Sequence, residues 1–182
     1  MRKENRGPSA GPENRRALIE AAREVFSTAG FAAPLSAVAK LAGVGQGSLY
    51  RHFPDRIALA VAVFDENITQ LEEAVDRGEG TLDDLLDRII EQALVSTAFI
   101  DMITADPHDP RVIHLGDRIR DIATRVIARE RAAGRIGTHV DSDDVLLAVS
   151  MLAQTLARSD ADRRTEIARR AWGLFHAAFT PR

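Results

Sequence analysis

Six polar or small positions around Leu49, in a 23-residue stretch, carry the chemistry of this chain. Between Pro34 and Arg56 the sequence reads P-L-S-A-V-A-K-L-A-G-V-G-Q-G-S-L-Y-R-H-F-P-D-R. Gln46, Ser48, Tyr50, Arg51 and His52 are hydrogen-bonding side chains on one side of a short helix, and Leu49 and Phe53, four apart, mark its other side. One face therefore looks to a core, and the other is nearly all donors and acceptors. Gln pairs bidentately with adenine, and Arg reads guanine or holds a phosphate. Gly47 has no side chain, so the backbone there can approach a double helix closely. The preceding helix has Leu35, Val38, Ala39 and Ala42 on one face, Pro34 at its first position and Gly43 as its left-handed stop. Val44 plugs the turn. Two short helices with this polar face read as a helix-turn-helix whose second helix enters a major groove.

The run A-G-V-G-Q-G-S-L-Y-R-H-F-P-D-R resembles the signature of the TetR (tetracycline-repressor-like) regulators, of the actinobacterial-type branch, over roughly residues 13 to 60. Gly45 stands where the family often has a capping Ser or Thr, Ala33 and Pro34 where Thr and Ser often begin the second helix, and Arg56 where Lys is common. The resemblance implies a sequence-specific transcription regulator, more often a repressor than an activator, released from inverted-repeat operator DNA by a small molecule. It implies that Tyr50 gives its hydroxyl to a phosphate. His52 and Arg56 are expected at phosphates, with Lys40 as a further backbone contact, and Gln46, Ser48 and Arg51 as the residues that choose bases.

The elements that must position this face are all helical. The chain is expected to fold as an all-α protein of about nine helices: a three-helix head and a helical body. Residues 1–12 are expected to be a disordered basic arm, with Arg2, Lys3 and Arg6 as charges able to follow a groove. Residues 13–56 form the head, beginning with a helix over 13–28 whose stripe is Leu18, Ala22, Val25, Phe26 and Ala29. A connector helix over 55–77 starts at the N-cap Asp55 and carries Ile57, Val61, Phe64, Ile68, Leu71 and Val75. Residues 78–182 form the effector-binding and dimerisation body.

In that body a wide apolar helix is expected over 81–104, then a loop at 106–110, then a helix to about Ala133 striped by Val112, Leu115, Ile119, Ile122 and Val126. Its arginines (118, 120, 125, 129, 131) alternate with Asp117, Asp121 and Glu130, which reads as a solvated, salt-bridged face. Phe99, Met102, Ile103, His114 and Ile119 are candidates to line an effector cavity. Asp141 to Asp144 cap the penultimate helix. The last two helices carry more apolar surface than one core needs, and the resemblance implies a two-fold four-helix bundle there. Leu147, Met151, Gln154, Trp172, Phe175 and Phe179 are its expected contacts. Such pairing would set two heads about one helical turn (~34–36 Å) apart on DNA.

Charge agrees with one-ended DNA binding. Residues 1–56 hold nine Lys/Arg against five Asp/Glu, while the remainder holds fifteen against twenty-two. No cysteine is present, so there is no disulfide frame and no thiolate site. No apolar run is long enough for a membrane span, and the first residues do not read as a secretory signal, so a cytoplasmic location is expected. His108, His114, His139 and His176 fall in no metalloprotease or nucleophile motif, so no catalytic residue, metal or cofactor is expected. A non-specific architectural DNA binder is the other alternative, and it would need a basic body.

Overall fold

The computed structural model describes residues 11–78, 81–84, 101–102 and 105–181. Within them the chain is all-helical: α1 (Gly11–Ala29), α2 (Leu35–Leu41), α3 (Gln46–His52), α4 (Arg56–Asp76), α5 (Pro110–Ala132), α6 (Ser142–Ala157), a 3-10 turn (Ala161–Arg163) and α7 (Arg164–Phe179). Gly11 and Pro12 already belong to α1, so helix replaces the last two residues of the expected arm. The rest of that arm lies outside the described residues, as does most of the expected 81–104 helix.

The head is three helices closed around Leu18, Ala22, Phe26, Val38, Leu49 and Phe53, all almost wholly buried. At seven residues each, α2 and α3 are too short to be stable alone in water, so packing supplies what propensity does not. The α2–α3 turn is fixed by its hydrogen bonds. Gly43 N–H donates to Lys40 at 3.2 Å, and Val44 N–H donates to Ala39 at 3.0 Å. Gly43 sits at φ +65, as expected of the residue that ends α2. These two bonds make a Schellman turn, which satisfies carbonyls that the end of α2 would otherwise leave open. Pro34 is the N-cap of α2, with ψ 132, rather than its first helical residue.

Asp55 caps α4 by accepting the Ala58 N–H at 2.6 Å. Of the expected stripe of α4, Phe64 and Ile68 are buried and Ile57, Val61, Leu71 and Val75 are half-buried. Leu59, Ala60 and Val63 are also fully buried, because α4 is gripped by α1 on one flank and by α5 on another. The arginines of α5 do form ion pairs, one of them along the helix as expected, from Arg125 Nε to Asp121 at 3.0 Å, and others with acids beyond it. Arg111 Nη1 reaches Asp55 at 3.1 Å, and its Nη2 reaches Asp109 at 2.6 Å. Arg118 makes a fork with Glu72, at 2.8 and 2.6 Å, and also pairs with Asp65 and bonds Thr69 at 3.0 Å. Arg125 pairs with Asp76, and Arg120 pairs with Asp143 of α6. The partners of Arg111, Arg118 and Arg125 ascend together along α4, so α4 and α5 run in the same direction.

The body continues through α6, whose N-terminus has a full capping box. Asp141 accepts from Asp143 and Asp144 N–H, and the Asp144 carboxylate accepts the Asp141 N–H. Trp172 of α7 donates its indole N–H to Asp83 at 2.8 Å, tying the last helix to residues 81–84. Glu130, nearly buried, is held by two bonds from Arg135, at 2.8 and 2.6 Å.

Removing the Arg118 fork by Arg118→Ala should cost about 1–2 kcal/mol, since two carboxylates lose a part-buried partner. Urea unfolding followed by circular dichroism measures it. Arg111 pulls the Asp109 carboxyl from its ordinary 3.8 down to about 2, through the side-chain hydrogen bond first. A depressed folded value means that the stabilisation is complete above the ordinary value and is lost as pH falls through about 2. A carboxyl NMR titration should find Asp109 titrating near 2, and Arg111→Gln should return it toward 3.8.

Candidate nucleic-acid interface

The α3 helix is two turns long and has two faces. Leu49 is completely buried and Phe53, just past the helix, is 2% exposed. Gln46, Gly47 and Arg51 are exposed, Tyr50 is 53% exposed, and Ser48 and His52 are half-buried at the edges. An aromatic side chain held that far into solvent with no partner in its own core is available to something outside it. Gly45 caps α3 without a side-chain bond, so the missing Ser or Thr is a real loss. A side chain at Gly47 would meet nothing within 4 Å. Packing within the chain therefore gives no reason for glycine there, whereas close approach of a nucleic-acid backbone does.

Lys40 lies exposed at the end of α2, near the start of this face in sequence. Arg51 is exposed in the last turn of α3, where its charge also suits the helix dipole. Behind the face, the Arg15 guanidinium of α1 lies 5.3 Å from the centroid of the Phe53 ring, and it is a cation that the sequence reading missed. Only a tertiary contact, not a local pattern, brings it there. Arg56 departs from expectation. Its guanidinium turns inward, with Nη1 donating to the Phe31 and Ala33 carbonyls and Cζ 5.6 Å from the Phe31 ring centroid.

The other candidate sites are only partly brought together. Met102 is fully buried and Ile119 packs on the core, but His114 is exposed on α5, and Phe99 and Ile103 lie outside the described residues. Of the expected subunit contacts, Leu147 is 61% and Met151 52% exposed, and Gln154 is exposed beside them. Trp172 and Phe179 are buried in the chain's own core, stacking edge to face with centroids 6.5 Å apart. Phe175 is half-buried against Phe179. The free apolar side chain of α7 is Leu174, 70% exposed. Trp172 packs edge to face on Phe179 and donates its indole N–H to the exposed carboxylate of Asp83, which holds the ring against the body.

Comparison with known proteins gives the same picture for the head. Residues 18–63 match the family described as bacterial regulatory proteins of the tetR family. The chain is 34% identical over 110 residues to the HTH-type transcriptional activator FasR of Mycolicibacterium smegmatis, covering 60% of this chain and 49% of that protein. It is 32% identical over 72 residues to the HTH-type transcriptional repressor KstR of Mycobacterium tuberculosis, covering 39% of this chain and 33% of that protein. The chain thus spans half or less of the length of these curated relatives. Along most of its length it superimposes on a crystal structure of a TetR transcriptional regulator from Streptomyces coelicolor. The TM-score is 0.62 at 27% identity, covering 91% of this chain and 98% of that one.

Read as a DNA contact, the exposed face of α3 predicts two kinds of mutant. Tyr50→Phe should weaken binding to every duplex alike, because a phosphate contact carries no base information. Gln46→Ala should relax preference at one base pair, worth about 1–3 kcal/mol there. Titration against single-base variants of a bound duplex checks both, and a changed base preference in Tyr50→Phe would reverse the assignment.

Proposed function

We propose that the chain is a TetR-family regulator that binds operator DNA as a homodimer and represses transcription until a small molecule releases it. The observation that carries this is the α3 helix: a polar face with Tyr50 and Arg51 in solvent, backed by fully buried Leu49. The base-choosing residues are Gln46, Ser48 and Arg51, and Tyr50, His52 and Lys40 hold the backbone. The head is residues 13–56, with α4 as connector and residues 78–182 as the effector-binding and dimerisation body. The chain is a regulator rather than an enzyme, and it works in the cytoplasm, where its DNA is. Among the described residues, no helix is long and apolar enough to cross a membrane.

The homodimer reading rests on Leu147, Met151 and Leu174, large apolar side chains left in solvent on the last two helices. A two-fold axis through them would bury them and pair the heads. Repression is the proposed sign. The two curated relatives are one activator and one repressor, so a reporter gene behind the bound site decides it. A rise in expression on adding the chain would reverse the sign alone.

In vitro selection of random duplexes by the purified chain should enrich an inverted repeat with half-sites about one turn, or a multiple, apart. Affinity should fall steeply with salt, because phosphate contacts release counterions. No enrichment even in dilute buffer would end the DNA-binding reading. Leu147→Glu should shift the chain toward monomer in analytical ultracentrifugation and weaken binding to the full repeat more than to a half-site.

A further inference from the structure

We infer that Arg56 is a positioning residue for DNA binding: it clamps the α1–α2 turn onto the first turn of α4, and so sets α2 and the recognition helix without touching a phosphate. The inference rests on the DNA-binding reading of α3 above, and its own evidence lies behind that face.

Arg56 is the first residue of α4. A cation is electrostatically disfavoured at that end of a helix, where the dipole is positive, so its placement calls for compensating partners. Two are present. Nη1 donates to the Phe31 carbonyl at 2.5 Å and to the Ala33 carbonyl. The flat guanidinium also lies over the Phe31 ring, a geometry that suits arginine better than the compact ammonium of lysine.

The residues it holds are themselves buried. Phe31 and Ala33 are 9% and 5% exposed, and the Phe31 ring leans on Phe26 with centroids 5.9 Å apart. Carbonyls in such a place are costly to leave unpaired. The next residue is Pro34, which has no N–H, and α2 begins with no side-chain cap. Local bonds at that start are few: Ala33 N–H to Gly30 at 3.2 Å and Ala37 N–H to Pro34 at 2.9 Å. The tie from Arg56 comes from 23 and 25 residues away and fixes where α2 starts relative to α4. From there the α2–α3 turn carries the position to α3. Lys40, Tyr50 and Arg51 are exposed for an outside partner, whereas Arg56 is half-buried with its Nη1 turned to the core side.

Arg56→Lys keeps the charge and Arg56→Gln removes it, and both lose the stacked fork. The probe is the duplex recovered by the selection above, titrated over a range of salt, alongside hydrogen exchange of the intact chain without DNA. Both variants should bind about tenfold more weakly, the loss of one charge-assisted bond. The salt slope should match that of the unsubstituted chain. Exchange should quicken at the Ala37 amide and along α2, and stay unchanged in α5 and α6. The opposite pattern overturns the clamp: full affinity in Arg56→Lys, a slope lower by about 0.9 in Arg56→Gln, and unchanged exchange, which is one lost phosphate contact. A lower melting temperature with undiminished affinity of the folded protein also overturns it, leaving Arg56 as scaffold only. If the unsubstituted chain binds no duplex, the functional reading fails by itself, and unchanged α2 exchange in either variant then counts against the clamp separately. Should Arg56→Gln not fold, Arg56→Lys carries every arm: full affinity with unchanged α2 exchange overturns the clamp.

Discussion

The side-by-side packing of α4 on α5 is the constraint on which the rest depends. Three arginines seven residues apart on α5 (Arg111, Arg118 and Arg125) meet acids at the start, middle and end of α4. A seven-residue step returns to nearly the same side of a helix, so one edge of α5 carries cations along its length and one edge of α4 carries the matching anions. Between those edges lie Leu59, Val63, Val112, Leu115 and Val126, all buried. The apolar seam supplies the attraction, and the charges fix direction and register, since a shift by one turn would leave Arg118 without its fork.

Through that seam the body is joined to the helix-turn-helix. Asp55 caps α4 and receives Arg111 of α5 at the same carboxylate. It stands three residues beyond the last residue of α3. The contact between α5 and the start of α4 thus lies within one short segment of α3. A ligand can bias such an arrangement only by preferring one orientation over the other.

The helix-turn-helix was legible in the sequence because its determinants are local. A left-handed glycine, an apolar residue after it and a four-residue repeat are written within a dozen positions, and the Schellman bonds at Gly43 and Val44 follow from them. The caps at Asp55 and Asp141 were legible for the same reason. What escaped was direction. Periodicity reports that α4 has an apolar face, but not that two neighbours claim it, so Leu59 and Val63 were missed. Charges on α5 suggested pairs along one helix, because i to i+4 partners are all that a sequence displays; Arg125 and Asp121 make such a pair, and the partners on α4 come in addition. Trp172 and Leu174 are two residues apart on an amphipathic helix, and the partners that bury Trp172 (Phe179 and the carboxylate of Asp83) are not written beside it in a local pattern. Arg56 reads as a DNA contact by type and place, and the carbonyls that turn it inward lie more than twenty residues away.

The connection between α5 and α6 also clasps the end of α7. Gly137 N–H donates to the Phe179 carbonyl at 2.8 Å, and His139 Nε2 lies 3.0 Å from the Ala178 carbonyl oxygen. The last turn of α7 is thus moored to the body. A fluorophore attached there would tumble with the whole body, so its anisotropy would report the size of the assembly instead of local wobble.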